Sequence, residues 1–108
     1  MKPVLITTTT STLEESKTIA SILIENKIAA CVNIIGPVRS LYSWKGNVED
    51  DEEYKLFIKS FENNWQSLSS TIKKHHSYDV PEISMVYIEN LNPDYLDWMK
   101  QVCIEEIV

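Results

Sequence analysis

The chain is poor in the residues on which disulfide scaffolds, zinc folds and phosphate-binding loops depend. Its 108 residues include two cysteines and two glycines. Two cysteines are too few for a disulfide framework, and without a CxxC pair they do not support a structural zinc site. Neither GxxxxGKS/T nor GxGxxG, the loops that cradle phosphates, occurs in the chain. The thiols suit a reducing compartment, so we expect a cytoplasmic protein.

Positive charge and long apolar runs are scarce as well. The chain has 10 lysines and arginines against 16 acids, which gives a formal net charge of −6. Because an acidic surface repels phosphate backbones, general binding to nucleic acid is disfavoured. The apolar run at residues 4–6 is too short for a signal peptide or a membrane span. We therefore expect neither nucleic acid nor a membrane as a partner.

The remaining composition suits one small domain. Hydrophobic residues make up 44% of the chain and charged residues 24%, which is typical of a soluble globular protein. We expect residues 1–108 to fold as a single domain. A chain this short buries less than about three quarters of its unfolded surface, so association with further subunits would stabilise it.

Hydrophobic periodicity predicts an α+β fold. Alternating apolar runs indicate strands, and apolar residues at helical spacing indicate helices. The predicted strands are 4–10, 29–44, 53–61 and 83–88, and the predicted helices are 13–27, 65–74 and one beginning at Asn92-Pro93. Their order is that of the ferredoxin-like βαββαβ arrangement with an additional C-terminal helix. We expect an antiparallel sheet with two helices on one face.

The second and third strands predict a hairpin longer than a monomer of this size needs. Gly36-Pro37 interrupts the second strand, which we interpret as one long strand bent at that point. The five consecutive acids at 49–53 are interpreted as the solvated end of this hairpin, with a low-affinity patch that attracts cations as the alternative. The face of the sheet away from the helices needs cover. That cover would come from aromatic residues packing between subunits: Tyr42, Trp44, Tyr87 and Trp98.

The best candidate ligand atoms lie in the stretch His75–Ile83, between the second helix and the last strand. His75 follows two lysines at the helix end, where a cation interacts favourably with the helix dipole. His76 and Glu82 offer an imidazole and a carboxylate, and the distant Cys31 offers a thiol. Imidazole suits copper and zinc, whereas thiolate selects softer ions, copper(I) especially. No HxH, HxxxH or CxxC spacing joins these residues, so only the fold can assemble a site from them.

Ordinary structural roles remain open for the same residues. Cys31 stands at the start of a strand, where a cysteine often serves as a small core residue. His76 could be a loop histidine held by hydrogen bonds. The two could also form a thiolate–imidazolium pair for nucleophilic catalysis, but nothing in the sequence brings them together. We expect no enzymatic activity.

Five motifs, taken in order, make the sequence resemble the CutA divalent-ion tolerance family over nearly its whole length. The motifs are Ala29-Ala30-Cys31-Val32-Asn33, Ser40-x-Tyr42-x-Trp44-x-Gly46, Glu53-x-x-Leu56-x-x-Lys59, His76-x-Tyr78-x-x-Pro81-Glu82-Ile83 and Tyr95-Leu96-x-Trp98. The chain departs from the family pattern at Ser77, where we expect proline, and at Asn47, which replaces a usual basic residue. Neither departure removes a candidate ligand.

The resemblance implies a homotrimer of ferredoxin-like subunits, closed by long hairpins that pair between neighbours. This architecture is similar to that of the PII signalling proteins. It further implies a role in tolerance to copper and other divalent ions, with no established catalytic reaction. By position in the motifs, Cys31, His76 and Glu82 are the implied metal ligands, for copper or else for zinc or another divalent ion.

The motif positions also imply a cleft between subunits, lined by Tyr42, Trp44, Lys59 and Tyr78. A second hypothesis is that the protein is a PII-like regulator whose cleft binds a small anionic metabolite. Lys59 and Arg39 motivate that hypothesis, since an anion site needs cations. A third is that the motif residues only hold the trimer together and that the cleft has no ligand.

Overall fold

A four-stranded antiparallel sheet and three α-helices make up the computed structural model, which describes residues 2–104. In chain order the elements are β1 (Pro3–Thr10), α1 (Leu13–Glu25), β2 (Cys31–Trp44), β3 (Asn47–Phe61), a 3-10 turn (Glu62–Asn64), α2 (Trp65–His75), β4 (Ile83–Tyr87) and α3 (Pro93–Val102). The strand order is β2-β3-β1-β4, and every neighbouring pair is antiparallel. The predicted α+β class and βαββαβ order are confirmed. Over these residues, no helix has the length and apolar character to cross a membrane.

Helix α1 ends earlier than its hydrophobic periodicity predicts. Its start is as expected, because the Thr12 hydroxyl accepts the Glu15 N–H at 3.1 Å. We predicted that it would continue to Lys27, but it ends at Glu25. Lys27 adopts a left-handed backbone with φ of 59°, which stops the helix after the Asn26 cap. Apolar spacing alone carries no signal for such a backbone reversal.

Strand β3 begins at Asn47, so the prediction that it begins at Glu53 was wrong. The acids at 49–53 are paired with β2 rather than forming a loose turn. Arg39 donates to Asp50 at 2.9 Å, and the Tyr42 hydroxyl donates to Asp51 at 2.6 Å. Cross-strand partners of this kind allow acids, which are otherwise rare in strands, to remain in the sheet.

The hydrophobic core lies between one face of the sheet and the helices α1 and α2. Alternate residues of β1 are buried, as the period of two requires. The fully buried residues of this core include Val4, Ile6, Ile19, Leu23, Leu56, Ile58, Leu68 and Ile72. Burying each such side chain contributes roughly 1.5–3 kcal/mol. The opposite face of the sheet, here called the open face, carries the odd-numbered residues of β1 and β3.

Strands β2 and β3 continue beyond the rest of the sheet as a two-stranded arm. Strand β1 pairs with β3 only as far as Tyr54, so residues 38–44 and 47–53 pair with each other alone. The prediction of one long second strand is confirmed, with its irregularity between Ile35 and Val38. Gly36 is required there, because a Cβ at this position would lie 2.5 Å from the Tyr54 ring.

Candidate functional site

Cys31, the first predicted ligand, is partly exposed at the first residue of the edge strand β2. It lies opposite Lys59 of β3, and its Sγ is 3.9 Å from the Asn33 side-chain oxygen. The thiol also contacts the Tyr95 hydroxyl. Burial, with the neighbouring Cys31, raises the pKa of Tyr95. The structure therefore leaves a soft sulfur ligand within reach of solvent.

The side chain of His76, the second predicted ligand, is fully buried at the end of α2. Its Nε2 donates to the Thr9 carbonyl at 2.8 Å, and its Nδ1 accepts the Tyr78 N–H at 3.1 Å. A carboxylate oxygen of Glu15 lies 3.8 Å from Nδ1, while the other accepts the Ser77 N–H at 3.1 Å. Because both ring nitrogens have partners, His76 holds the 76–78 turn against β1 in this conformation.

Glu82, the third predicted ligand, lies on the open face among donors. Ser84 donates to it at 2.8 Å, Lys55 at 3.1 Å and Thr7 at 3.3 Å. Burial by itself would raise the pKa of Glu82, but these hydrogen bonds and the Lys55 charge outweigh it and lower the pKa below its usual value. The Thr9 hydroxyl donates to it as well, at 3.5 Å. Glu82 is therefore ionised at neutral pH and is held in place by four side chains.

The three predicted ligands do not come together within one chain. Cys31 lies opposite Lys59, whereas Glu82 contacts Lys55. Those lysines are four residues apart on β3, a separation of about 13 Å along a strand. In the described part of the chain, no group of three His, Cys, Asp or Glu residues could hold a metal ion. The ligand set stays a prediction, and it can form a site only if more than one chain contributes.

The structure instead brings three of the four predicted cleft residues to one place. A cleft of about 610 Å³ lies on the open face, between the arm and the segment 77–82. It is lined by Thr9, Ser40, Tyr42, Trp44, Glu53, Lys55, Ser77, Tyr78, Asp79, Val80 and Glu82. The fourth residue, Lys59, is not among them. Its amine donates to the Asn33 side chain at 3.3 Å and lies over the Tyr95 ring.

A hydrogen bond between Tyr78 and Glu53 joins the two walls of this cleft. The Tyr78 hydroxyl donates to Glu53 at 2.5 Å, and its ring packs at 4.9 Å from the His76 ring. Burial, followed by the hydrogen bond to Glu53, raises the pKa of Tyr78. The sequence assigned Glu53 to the solvated hairpin end or to a weak cation-attracting patch, and Glu53 was not among the predicted cleft residues. Strand alternation could have found it, since it shares a face with Lys55.

The charges around the cleft are mostly negative. Glu53, Asp79 and Glu82 line it, while the one lysine among the lining residues, Lys55, is bound to Glu82. Arg39, which motivated the anionic-metabolite hypothesis, pairs with an acid of the arm and does not line the cleft. This cleft therefore gives no support to an anionic ligand, and that hypothesis stays untested.

Tyr42 is held on the β2 wall of the cleft by the arm itself. Its hydroxyl bonds to Asp51 on the adjacent strand. That hydrogen bond is the main cause that raises the pKa of Tyr42 to about 12. The phenol is therefore neutral over the whole physiological range, and it acts as a hydrogen-bond donor that fixes its own ring.

Comparison with known proteins places these features in a family. The sequence model described as CutA1 divalent ion tolerance protein matches residues 4–102. The divalent-cation tolerance protein CutA of Thermus thermophilus is 40% identical over 88 residues, which are 82% of this chain and 85% of that protein. The chloroplastic protein CutA 1 of rice is 41% identical over 87 residues, which are 81% of this chain but 49% of that protein. The crystal structure of CutA1 from Oryza sativa matches with a TM-score of 0.95 at 36% identity, covering 98% of this chain and 97% of that one.

Proposed function

This chain belongs to the CutA1 divalent ion tolerance family, and we propose that it acts in that role as a homotrimer that binds copper or another divalent ion. Membership in the family supports a role in divalent ion tolerance. The choice of copper, the trimer and its PII-like architecture, and a cytoplasmic location are our own proposals.

Assembly is supported by the apolar side chains of the arm. Leu41 is 65% exposed and Val48 is 78% exposed, and both lie on the face of the arm opposite to Tyr42 and Trp44. A two-stranded hairpin is only marginally stable by itself in water, and clustered exposed apolar residues mark interaction surfaces. An arm of this kind gains stability when it packs against a neighbouring subunit.

The accessible thiol of Cys31 is the single observation that carries copper binding. Thiolate is a soft ligand suited to copper(I), and a reducing cytoplasm would keep it available. Glu82 offers a carboxylate on the same open face. Within residues 2–104 of one chain, no three potential ligands lie close enough together to hold a metal ion. The site we propose therefore takes ligands from neighbouring subunits. His76 would join it only if the 76–78 turn gave up its hydrogen bonds.

Copper titration of the assembled protein tests this proposal. We expect Cys31→Ser to weaken copper(I) binding by at least about tenfold, because a thiolate ligand is replaced by a harder hydroxyl. The measurement is competition against a copper(I) chelator under anaerobic reducing conditions. Cys103→Ala is the matched control, since this second thiol is buried at the C-terminal end of α3, and it should leave copper affinity unchanged.

Equal affinities of wild type and Cys31→Ser would refute the assignment of Cys31. His76→Ala and Glu82→Gln, titrated in the same way, separate the other two predicted ligands. The assembly state is informative as well, because a site shared among subunits binds copper only in the assembled protein.

A further inference from the structure

We propose that the cleft between the arm and segment 77–82 is a binding site for a small organic ammonium ion. Such a ligand goes beyond metal tolerance, and of the three predicted metal ligands only Glu82 lines this cleft. The proposal rests on the aromatic residues of the cleft, on a buried carboxylate without a cationic partner, and on the size of the space.

Three aromatic side chains line the cleft from two directions. Tyr42 and Trp44 come from β2, and Tyr78 comes from the segment after α2. Both tyrosine hydroxyls donate to carboxylates of β3, which fixes their rings in place. Aromatic faces attract cations, and several converging rings are the usual arrangement for recognising substituted ammonium groups. Fixed rings of this kind favour a cationic ligand with an apolar body.

Glu53 supplies the second, independent observation. This residue is only 7% exposed, yet it lines the cleft. Its partner is the Tyr78 hydroxyl, and no lysine, arginine or histidine pairs with it among residues 2–104. A buried carboxylate is costly unless a positive charge accompanies it. A ligand cation in the cleft would supply that charge.

The remaining charges of the cleft point in the same direction. Asp79 and Glu82 add two further carboxylates, and the charge of Lys55 is already engaged with Glu82 at 3.1 Å. The excess negative potential concentrates cations in a concave space and repels anions. Charge complementarity therefore selects a positively charged ligand.

The dimensions and donor geometry favour an organic cation over a bare metal ion. The volume of about 610 Å³ falls within the usual range for small-molecule sites, which is roughly 300–1,000 Å³. The three carboxylates do not converge into a metal-binding group in the described chain. Aromatic walls also contribute little to the coordination of a hard metal ion, which prefers oxygen ligands.

Choline and its uncharged isostere 3,3-dimethyl-1-butanol form a matched pair of probes for this site. They have almost the same shape and differ by the charge on one atom. By isothermal titration calorimetry with the full chain, we expect choline to bind at least about tenfold more tightly than the alcohol. Equal affinity for the two probes, or no detectable choline binding at tens of millimolar, would overturn the proposal.

Two variants locate the site. Trp44→Leu and Glu53→Gln should each weaken choline binding by about tenfold. Trp98→Leu is the matched control, because Trp98 is 40% exposed on α3, outside the cleft, while Trp44 is 48% exposed. It should leave choline affinity unchanged. Since Trp44 is half exposed, its variant keeps the core intact and remains informative even if Glu53→Gln does not fold.

Loss of choline binding in Trp98→Leu together with its retention in Trp44→Leu would place the ligand elsewhere and refute the cleft. Cys31→Ser separates the two proposals, because it should weaken copper binding and leave choline affinity unchanged. If the wild type binds choline but no copper, the ammonium site is supported and the metal proposal is refuted. If it binds copper but no choline, the metal proposal is supported and the ammonium site is refuted.

Discussion

At the scale of single residues, the three predicted ligands differ in how many of their ligand atoms are already engaged in hydrogen bonds. His76 uses both ring nitrogens within its own chain, and Glu82 accepts hydrogen bonds from four side chains. Only Cys31 keeps an accessible donor atom with weak local contacts. Three residues that all fall on family motifs therefore differ in their local environment. His76 supports a turn, Glu82 is a fixed negative charge, and Cys31 keeps its sulfur available. The hydrogen-bond partners of each residue account for these differences.

Glu82 should make the stability of the protein depend on acid pH. Its pKa in the folded state lies below the usual 4.5, so its contribution is fully present above about pH 4.5 and is lost as the pH falls through the folded value. Urea unfolding of Glu82→Gln should therefore show a smaller loss of unfolding free energy than wild type between about pH 5 and pH 3. We expect a difference of about 1 kcal/mol or less, because the side chain is half exposed and partly screened.

Glu89→Gln is the control for that experiment. Glu89 is exposed after β4 and makes no hydrogen bond or ion pair within residues 2–104. Its variant should follow the wild-type pH dependence. If Glu82→Gln also follows the wild-type curve, the donors around Glu82 do not stabilise its charged form.

At the scale of elements, the bend in β2 sets where the arm begins. The sheet is regular up to Ile35 and resumes at Val38 with a shifted register. Gly36 lies at the bend with the Tyr54 ring against it. The position of this ring explains why the bend needs a residue without a Cβ.

Gly36→Ala should destabilise the protein by roughly 1–3 kcal/mol, because the new methyl group would overlap the Tyr54 ring. Urea unfolding measures the change. In a Tyr54→Ala background the same substitution should cost much less, since the overlapping ring is gone. An equal cost in both backgrounds would show that the contact with Tyr54 is not the reason for the glycine.

At the scale of the whole molecule, the arm and the open face remain only partly covered in a single chain. The compact part of the chain buries its core beneath α1 and α2, while the arm extends the longest dimension to 45 Å, against 26 and 23 Å for the others. A chain of 108 residues has little surplus stability to hold an extended hairpin by itself. Assembly would bury the arm and would also bring ligands from different chains together.

Leu41→Asp should weaken assembly, because it replaces one of the exposed apolar side chains of the arm with a charge. We expect light scattering to report the mass of a trimer for wild type and a shift toward monomer for the variant at micromolar concentration. Ile24→Asp is the matched control on the surface of α1, where Ile24 is likewise exposed. A wild-type monomer, or equal masses of the two variants, would contradict the role of the arm.

Much of the fold and part of the site could be predicted from local pattern. The elements and their order follow from apolar spacing, which reflects the periods of helix and strand. The errors lie at the ends, where the left-handed Lys27 and the paired acids of β3 depend on backbone geometry and on a partner strand. Motif resemblance predicted a cleft between subunits, and that stays a prediction for a single chain. Within the chain, Tyr42, Trp44 and Tyr78 line one cleft, while the Lys59 amine contacts Asn33.

The sequence by itself therefore determined the class of fold, the family and the set of chemically capable side chains. Only the tertiary structure decided which of them meet. Glu53 and Tyr78 are 25 residues apart in sequence yet share a hydrogen bond, whereas Cys31 and Glu82 stay apart on the same face. The physical reason is that periodicity is a local property of the chain, while the charge, burial and partners of a site are set by sheet register and by segments that cross it.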